Sequence, residues 1–190
     1  AARSLPPELQ SAAADIAELW THVPYDPRSR DGIVLAVLPC GGNDAGAITG
    51  PLAVGLAHFA GERVAHVSCR EGRSWLATRL SLPERVSWAE AARGAAAAKG
   101  AACSTKIPGL DHFALGENAV DAPHPAAGPT FRAFLDALRT QYRFVVVELP
   151  SLGDGPAAQA ALGAIDAVQV VAQVGVDDRP QVVKAVQAAR

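Results

Sequence analysis

Residues 32–51 read "GIVLAVLPCGGNDAGAITGP". The opening run from Gly32 to Leu38 is continuously apolar rather than alternating, the pattern of a central strand buried on both faces of a parallel sheet. A glycine-rich loop follows, then "PLAVGLAHFAG" reads as helix, with Gly61 expected as its C-cap. Strand, glycine loop and helix, in that order, are the parts from which phosphate-gripping loops are made. This loop contains no lysine.

Working outward, "PPELQSAAADIAELWTHV" sets Leu9, Ala12, Ala13, Ile16, Leu19 and Trp20 on one stripe of an amphipathic helix, with Pro7 in its first turn. "PYDPRSRDG" breaks it. Downstream, "ERVAHVSC" is a second short strand. "RSWLATRLSL" and "SWAEAARGAAAAKG" read as surface helices, the latter too rich in alanine to offer much packing bulk. A third strand is expected near Leu110 to Leu115. The loop "ENAVDAPHPAAGP" leads into the helix "TFRAFLDALRTQY", with Thr130 as its expected N-cap. "RFVVVELP" is the clearest strand, "DAVQVVAQVG" another, and "DRPQVVKAVQAAR" a closing helix with Pro180 in its first turn. Strands alternating with helices predict a doubly wound α/β fold, a mostly parallel sheet with helices on both faces.

The chain's 190 residues, 49% of them hydrophobic, can bury one sizeable core but not two. Residues 1–190 are therefore expected to form a single domain. The lack of any Met and the opening "AARSLPPELQ" point to a domain that is part of, or excised from, a longer protein. A net charge of −2 gives no sequence-wide pull toward nucleic acid or anionic lipid. Cys40, Cys69 and Cys103 are odd in number and lack CxxC spacing, so a reducing cytoplasmic setting is expected, with neither a disulfide framework nor a zinc site. Cys40 and Cys69, at the ends of the first two strands, read as buried thiols near one another. No apolar stretch approaches the roughly 20 residues a membrane helix needs. His22, His58, His66, His112 and His124 show no ligand spacing and are given no role.

The glycine loop, "GERVAHVSC", "FRAFLDALRTQYRFVVVELPS" and "DAVQVVAQVG" together resemble the MinD/ParA class of P-loop ATPases over nearly the whole chain. Within that class the resemblance is nearest to the bacterial tyrosine kinases of capsule and exopolysaccharide export, which also carry a helix before the first strand. It implies a nucleotide loop spanning Gly41, Gly42, Asn43, Asp44, Ala45, Gly46, Ala47, Ile48 and Thr49, with Glu148 at the Walker B position. In such loops backbone N–H groups cradle phosphates, a Lys neutralises charge and a hydroxyl holds Mg²⁺. Counting back from Gly61 puts the family Lys at Gly46 and the hydroxyls at Ala47 and Ile48. Sliding by one residue gives Ala47, Ile48 and Thr49 instead. Neither register supplies the amine.

The family's second strand ends in Asp-x-Asp, where this chain has Ser68 and Arg70. A guanidinium in place of a carboxylate opposes metal binding. Asp44 adds negative charge beside the phosphate path, and Pro51 is expected to delay the helix until Thr49 can cap it. Glu148 keeps its charge, although a lone acid is more simply a structural one. The family carries a tyrosine cluster in a C-terminal tail, whereas within these 190 residues Tyr25 and Tyr142 are the only tyrosines.

The resemblance and its departures together imply a catalytically inactive ATPase-like or kinase-like domain, a structural or regulatory module of exopolysaccharide synthesis or secretion. The cofactor expectation is none, neither ATP nor Mg²⁺. The expected partners are proteins of an envelope polysaccharide or secretion complex and further copies of the chain, with no nucleic acid. Membrane contact is expected only through a partner or flanking segment, at the inner face of the cell membrane. The alternatives are an active ATPase or tyrosine kinase with a non-standard loop, and a regulatory domain holding another small anion.

Overall fold

A computed structural model describes residues 7–19, 32–41, 45–83, 86–92, 98–115 and 124–189. Its centre is a six-stranded sheet in the order β3-β4-β2-β5-β1-β6. The strands are β1 (Ile33–Pro39), β2 (Val64–Ser68), β3 (Cys103–Ser104), β4 (Leu110–Phe113), β5 (Phe144–Glu148) and β6 (Ala167–Val171). All pairings are parallel except that of β3 with β4. The doubly wound fold expected from the sequence is the fold found.

The continuous apolar runs are explained by their position. β5 lies between β1 and β2, with Val34 opposite Val145 and Val67 opposite Val147. Alternate residues face opposite layers. Val34, Ala36, Leu38, Val145 and Val147 join one core with Trp88, Phe131, Phe134 and Leu138, whereas Val64, Leu110 and Val146 join another with Leu52, Ala53 and Val54. The first layer belongs to α4 (Trp88–Ala92), α5 (Ala98–Ala101), α6 (Pro129–Arg139) and α7 (Ala157–Leu162). The second belongs to α1 (Pro7–Leu19), α2 (Gly46–His58) and α3 (Trp75–Arg79). The chain closes with α8 (Arg179–Ala188), which has Pro180 in its first turn as expected and a capping box from Asp178 to Gln181.

Several local expectations are corrected. α2 begins at Gly46, with Ala45 as N-cap, so Thr49 is inside the helix and does not cap it. The Thr49 hydroxyl instead donates to the Ala45 carbonyl at 3.1 Å. Pro51 lies in the second turn and withholds an N–H from the carbonyl of Ala47. Ala47 is exposed, so water can replace that donor. The helix ends at His58 with Phe59 as C-cap, and Gly61 makes its left-handed turn (φ 70°) two residues later. α6 is capped by Gly128 rather than Thr130, because Pro129 occupies the first helical position, where its missing N–H costs nothing.

The supposed surface helices are largely buried. Trp88, Ala89, Ala91 and Leu76 are all core residues. The alanine-rich stretch forms two short helices, α4 and α5, and residues 93–97 lie outside the described residues. The third strand stops at Phe113, and the short β3 and the helix α7 complete the elements the sequence did not reveal. At the foot of the sheet Arg139 pairs with Asp166, with Nη1 to Oδ2 at 2.7 Å and Nη2 to Oδ1 at 3.1 Å. Asp166 Oδ2 also accepts the Val34 N–H, which fixes the start of β1. No described helix is long and apolar enough to cross a membrane.

Candidate functional site

Parallel strands end at a common edge, and open α/β sheets place their ligands there. β1, β5 and β2 lie side by side in this sheet, so their last residues form one row. Glu148 is at its middle, between Val37 of β1 and Ser68 of β2, and is fully buried. Strand alternation puts it with Val146 on the face covered by α2.

Of the loop residues singled out in the sequence, Gly41, Ala45, Gly46, Ala47, Ile48 and Thr49 are described, and Gly42, Asn43 and Asp44 lie outside the described residues. Gly41 closes the row at β1. Ala47 faces solvent in the first turn of α2, Ile48 is half-buried, and the Thr49 hydroxyl is turned to its own helix. At the end of β2, the Ser68 carbonyl accepts the Trp88 indole N–H at 2.9 Å, and its hydroxyl accepts the Arg70 N–H at 3.4 Å. Arg70 is exposed.

Asp177 is the residue that sequence reasoning missed. One of its carboxylate oxygens accepts the Gln173 N–H at 2.6 Å. The other packs so closely on the Gly41 backbone that a Cβ there would collide with it. A larger residue at position 41 would have to displace the Asp177 side chain. The Cys40 thiol registers the same carboxylate: burial raises its pKa, and Asp177 raises it further. Asp177 directly precedes the N-cap of α8, where an acid is unremarkable, so no sequence signal tied it to the loop.

Cys40 and Cys69 are buried free thiols, but β5 separates their strands. Two strand spacings make roughly 10 Å, too far for a disulfide. Burial and then Glu148 push the Cys69 thiol well above its ordinary value, which makes it a poor nucleophile. Among the described residues no three His, Cys, Asp or Glu side chains are arranged to hold a metal ion.

Two histidines given no role from the sequence meet on the α2 face. Register sets His66 opposite His112, with their Nδ1 atoms 2.9 Å apart. His112 Nε2 reaches the Ser74 hydroxyl at 3.1 Å. Only pairing β2 with β4 brings the rings together, so no local spacing could announce them. Burial holds His66 neutral to well below its ordinary value, with His112 adding to the effect. His112 is lowered to about 4, chiefly by burial, with the nearby Arg73 charge acting in the same direction.

This arrangement predicts acid sensitivity. The unfolded chain takes up these protons near pH 6.5, whereas folded His112 does not until about pH 4. The folded state therefore loses stability as pH falls through that window and gains nothing from the pair above it. Urea midpoints at pH 7.5 and 4.5 should differ markedly more for the native chain than for a His66→Gln/His112→Gln variant.

No protein-family model and no curated protein matches the sequence. Solved structures do match the fold. The kinase domain of Escherichia coli tyrosine kinase ETK superposes with a TM-score of 0.82 at 14% identity, over 98% of this chain and 75% of that one. The VpsO kinase domain gives 0.79 at 22% identity, over 96% and 88%. The cell-division ATPase MinD of Pyrococcus furiosus gives 0.65 at 20% identity, over 80% and 64%. The fold is thus that of the P-loop NTPases, as found in bacterial tyrosine kinase domains and MinD-type ATPases.

Proposed function

We propose that the chain is a catalytically inactive relative of the bacterial tyrosine kinase domains, serving as a structural or regulatory interaction module in exopolysaccharide synthesis or secretion. The observation that carries this reading is the charge at the loop: neither Gly46 nor Ala47, the two first-turn positions at which the family amine would fall, supplies one, and the Asp177 carboxylate packs on Gly41. A triphosphate brings several negative charges to such a loop, and its transfer chemistry consists of positioning and neutralising them. The residues present do not fit that group. Ser68 and Arg70 at the end of β2 supply no carboxylate for Mg²⁺, and the Thr49 hydroxyl is committed to Ala45.

The loop from Gly41 through Gly42, Asn43, Asp44, Ala45, Gly46, Ala47 and Ile48 to Thr49, together with Glu148, is on this reading a vestige that preserves the fold. Function would lie in docking to protein partners of an envelope complex, or to further copies of the chain, at the cytoplasmic side of the membrane. The exopolysaccharide setting rests on the resemblance to that kinase family and on the fold shared with its solved kinase domains. Calorimetric titration with ATP and Mg²⁺ tests the reading. No saturable heat is expected up to millimolar nucleotide, and micromolar, Mg²⁺-dependent binding would overturn it in favour of an active enzyme with a non-standard loop.

A further inference from the structure

The buried histidine relay lies on the path between the sheet and the helix that carries the loop. Ser74 is the N-cap of α3, and its side chain accepts the Ala77 N–H at 3.1 Å while its hydroxyl also meets His112 Nε2. The next residue, Trp75, packs on Gly50 of α2, where an added Cβ would clash with the indole ring. The contacts therefore run from His66 through His112 and Ser74 to Trp75 and on to Gly50 of α2. Among the described residues His66 Nε2 is buried with no hydrogen-bond partner, so the relay ends blind inside the protein.

The relay tolerates few protonation states. Neutral rings share one proton between the facing Nδ1 atoms. A single added proton could still be arranged as His112 donating from Nδ1 to His66 and from Nε2 to Ser74, but it would leave an unsolvated charge. A second proton would set two N–H groups against each other. The surroundings do not relieve this. Arg73, held by the carbonyls of Ala77 and Leu82, is the cation acting on His112. α2 has no titratable side chain between Gly46 and Ala57, and on the β5 side the acid is Glu148, beyond Val146, the residue paired with His66. The response open to the molecule is to move α3, which is only five residues long.

We propose that the His66–His112–Ser74 relay is an acid-released latch that holds α3, through Trp75, against the loop helix α2, and lets it go before the sheet unfolds. Two-dimensional NMR of the amide-labelled chain between pH 7.5 and 4 tests this. The Trp75 indole and the amides of α3 should shift or broaden as pH falls below 6.5, while those of Val145, Val146 and Val147 stay native. In the His66→Gln/His112→Gln variant the α3 response should disappear. Loss of the α3 and β5 signals at one common pH in the native chain would overturn the latch, since it would show only global unfolding. An unchanged α3 response in the variant would overturn it equally. Should that variant not fold, the order of events in the native chain decides the matter.

Discussion

Replacing Trp88 with Ala is expected to cost more stability than any other single change considered, about 4–6 kcal/mol. The indole is 1% exposed and belongs to the core that α4 and α6 form on one face of the sheet. It stacks on Phe134 at 5.4 Å and contacts Phe131 at 5.1 Å between ring centroids. Its Nε1 donates to the Ser68 carbonyl, so truncation both opens a cavity and strips a buried acceptor of its donor. A large-to-small aromatic change in a packed core costs about 3–5 kcal/mol, and an orphaned buried carbonyl, at the low end of its usual cost, adds about 1 kcal/mol. Domains of this size have only about 5–15 kcal/mol in total. The thermal midpoint followed by circular dichroism should fall by roughly 10–20 °C. Trp88→Phe keeps an aromatic ring against Phe134 while losing the N–H and part of the indole's volume, so its midpoint should fall by less. Equal losses for the two variants would show that the hydrogen bond, not the packing, holds this corner.

The central strands were legible because each has a physical reason to be written plainly. A parallel strand buried on both faces must be apolar at every position, and Gly32 to Leu38 and Val145 to Val147 are. The short helices had no such signature. α3 and α4 make little more than one turn each, too short for a 3.6-residue period to separate buried from exposed positions. The segment that carries Trp88 therefore read as a surface helix, although Trp88 belongs to one core. Caps failed where two residues competed: Thr130 is a good N-cap by type, but Pro129 pre-empts the helix start. At the site, the missing amine and the changed β2 motif were visible because they lie within contiguous motifs. Asp177 was not, because only the placement of β6 beside β1 brings its turn against Gly41.

Asp177 leads to the prediction that bears most directly on the proposed absence of nucleotide binding at the loop. If the missing amine were the whole defect, Ala47→Lys alone would restore nucleotide binding. Ala47 is exposed in the first turn of α2, so the longer side chain fits without repacking. Yet Asp177 would remain against Gly41, either pairing with the new amine or repelling the phosphates it was meant to attract. A unit charge about 5 Å away at an effective dielectric of about 20 is worth roughly 3 kcal/mol. Ala47→Lys should therefore stay weaker than about millimolar for Mg·ADP, whereas Ala47→Lys/Asp177→Asn should bind at least tenfold more tightly. Asn preserves the acceptor for the Gln173 N–H, so the turn before α8 should survive, and an unchanged thermal midpoint checks that it does. Binding by the double variant no tighter than by the native chain would place the defect in the shape of the loop rather than its charge, with Pro51 the residue to examine next. A gain confined to the double variant would show that an absent amine and a present carboxylate, separated in sequence and joined only by the fold, together keep this loop from gripping phosphate.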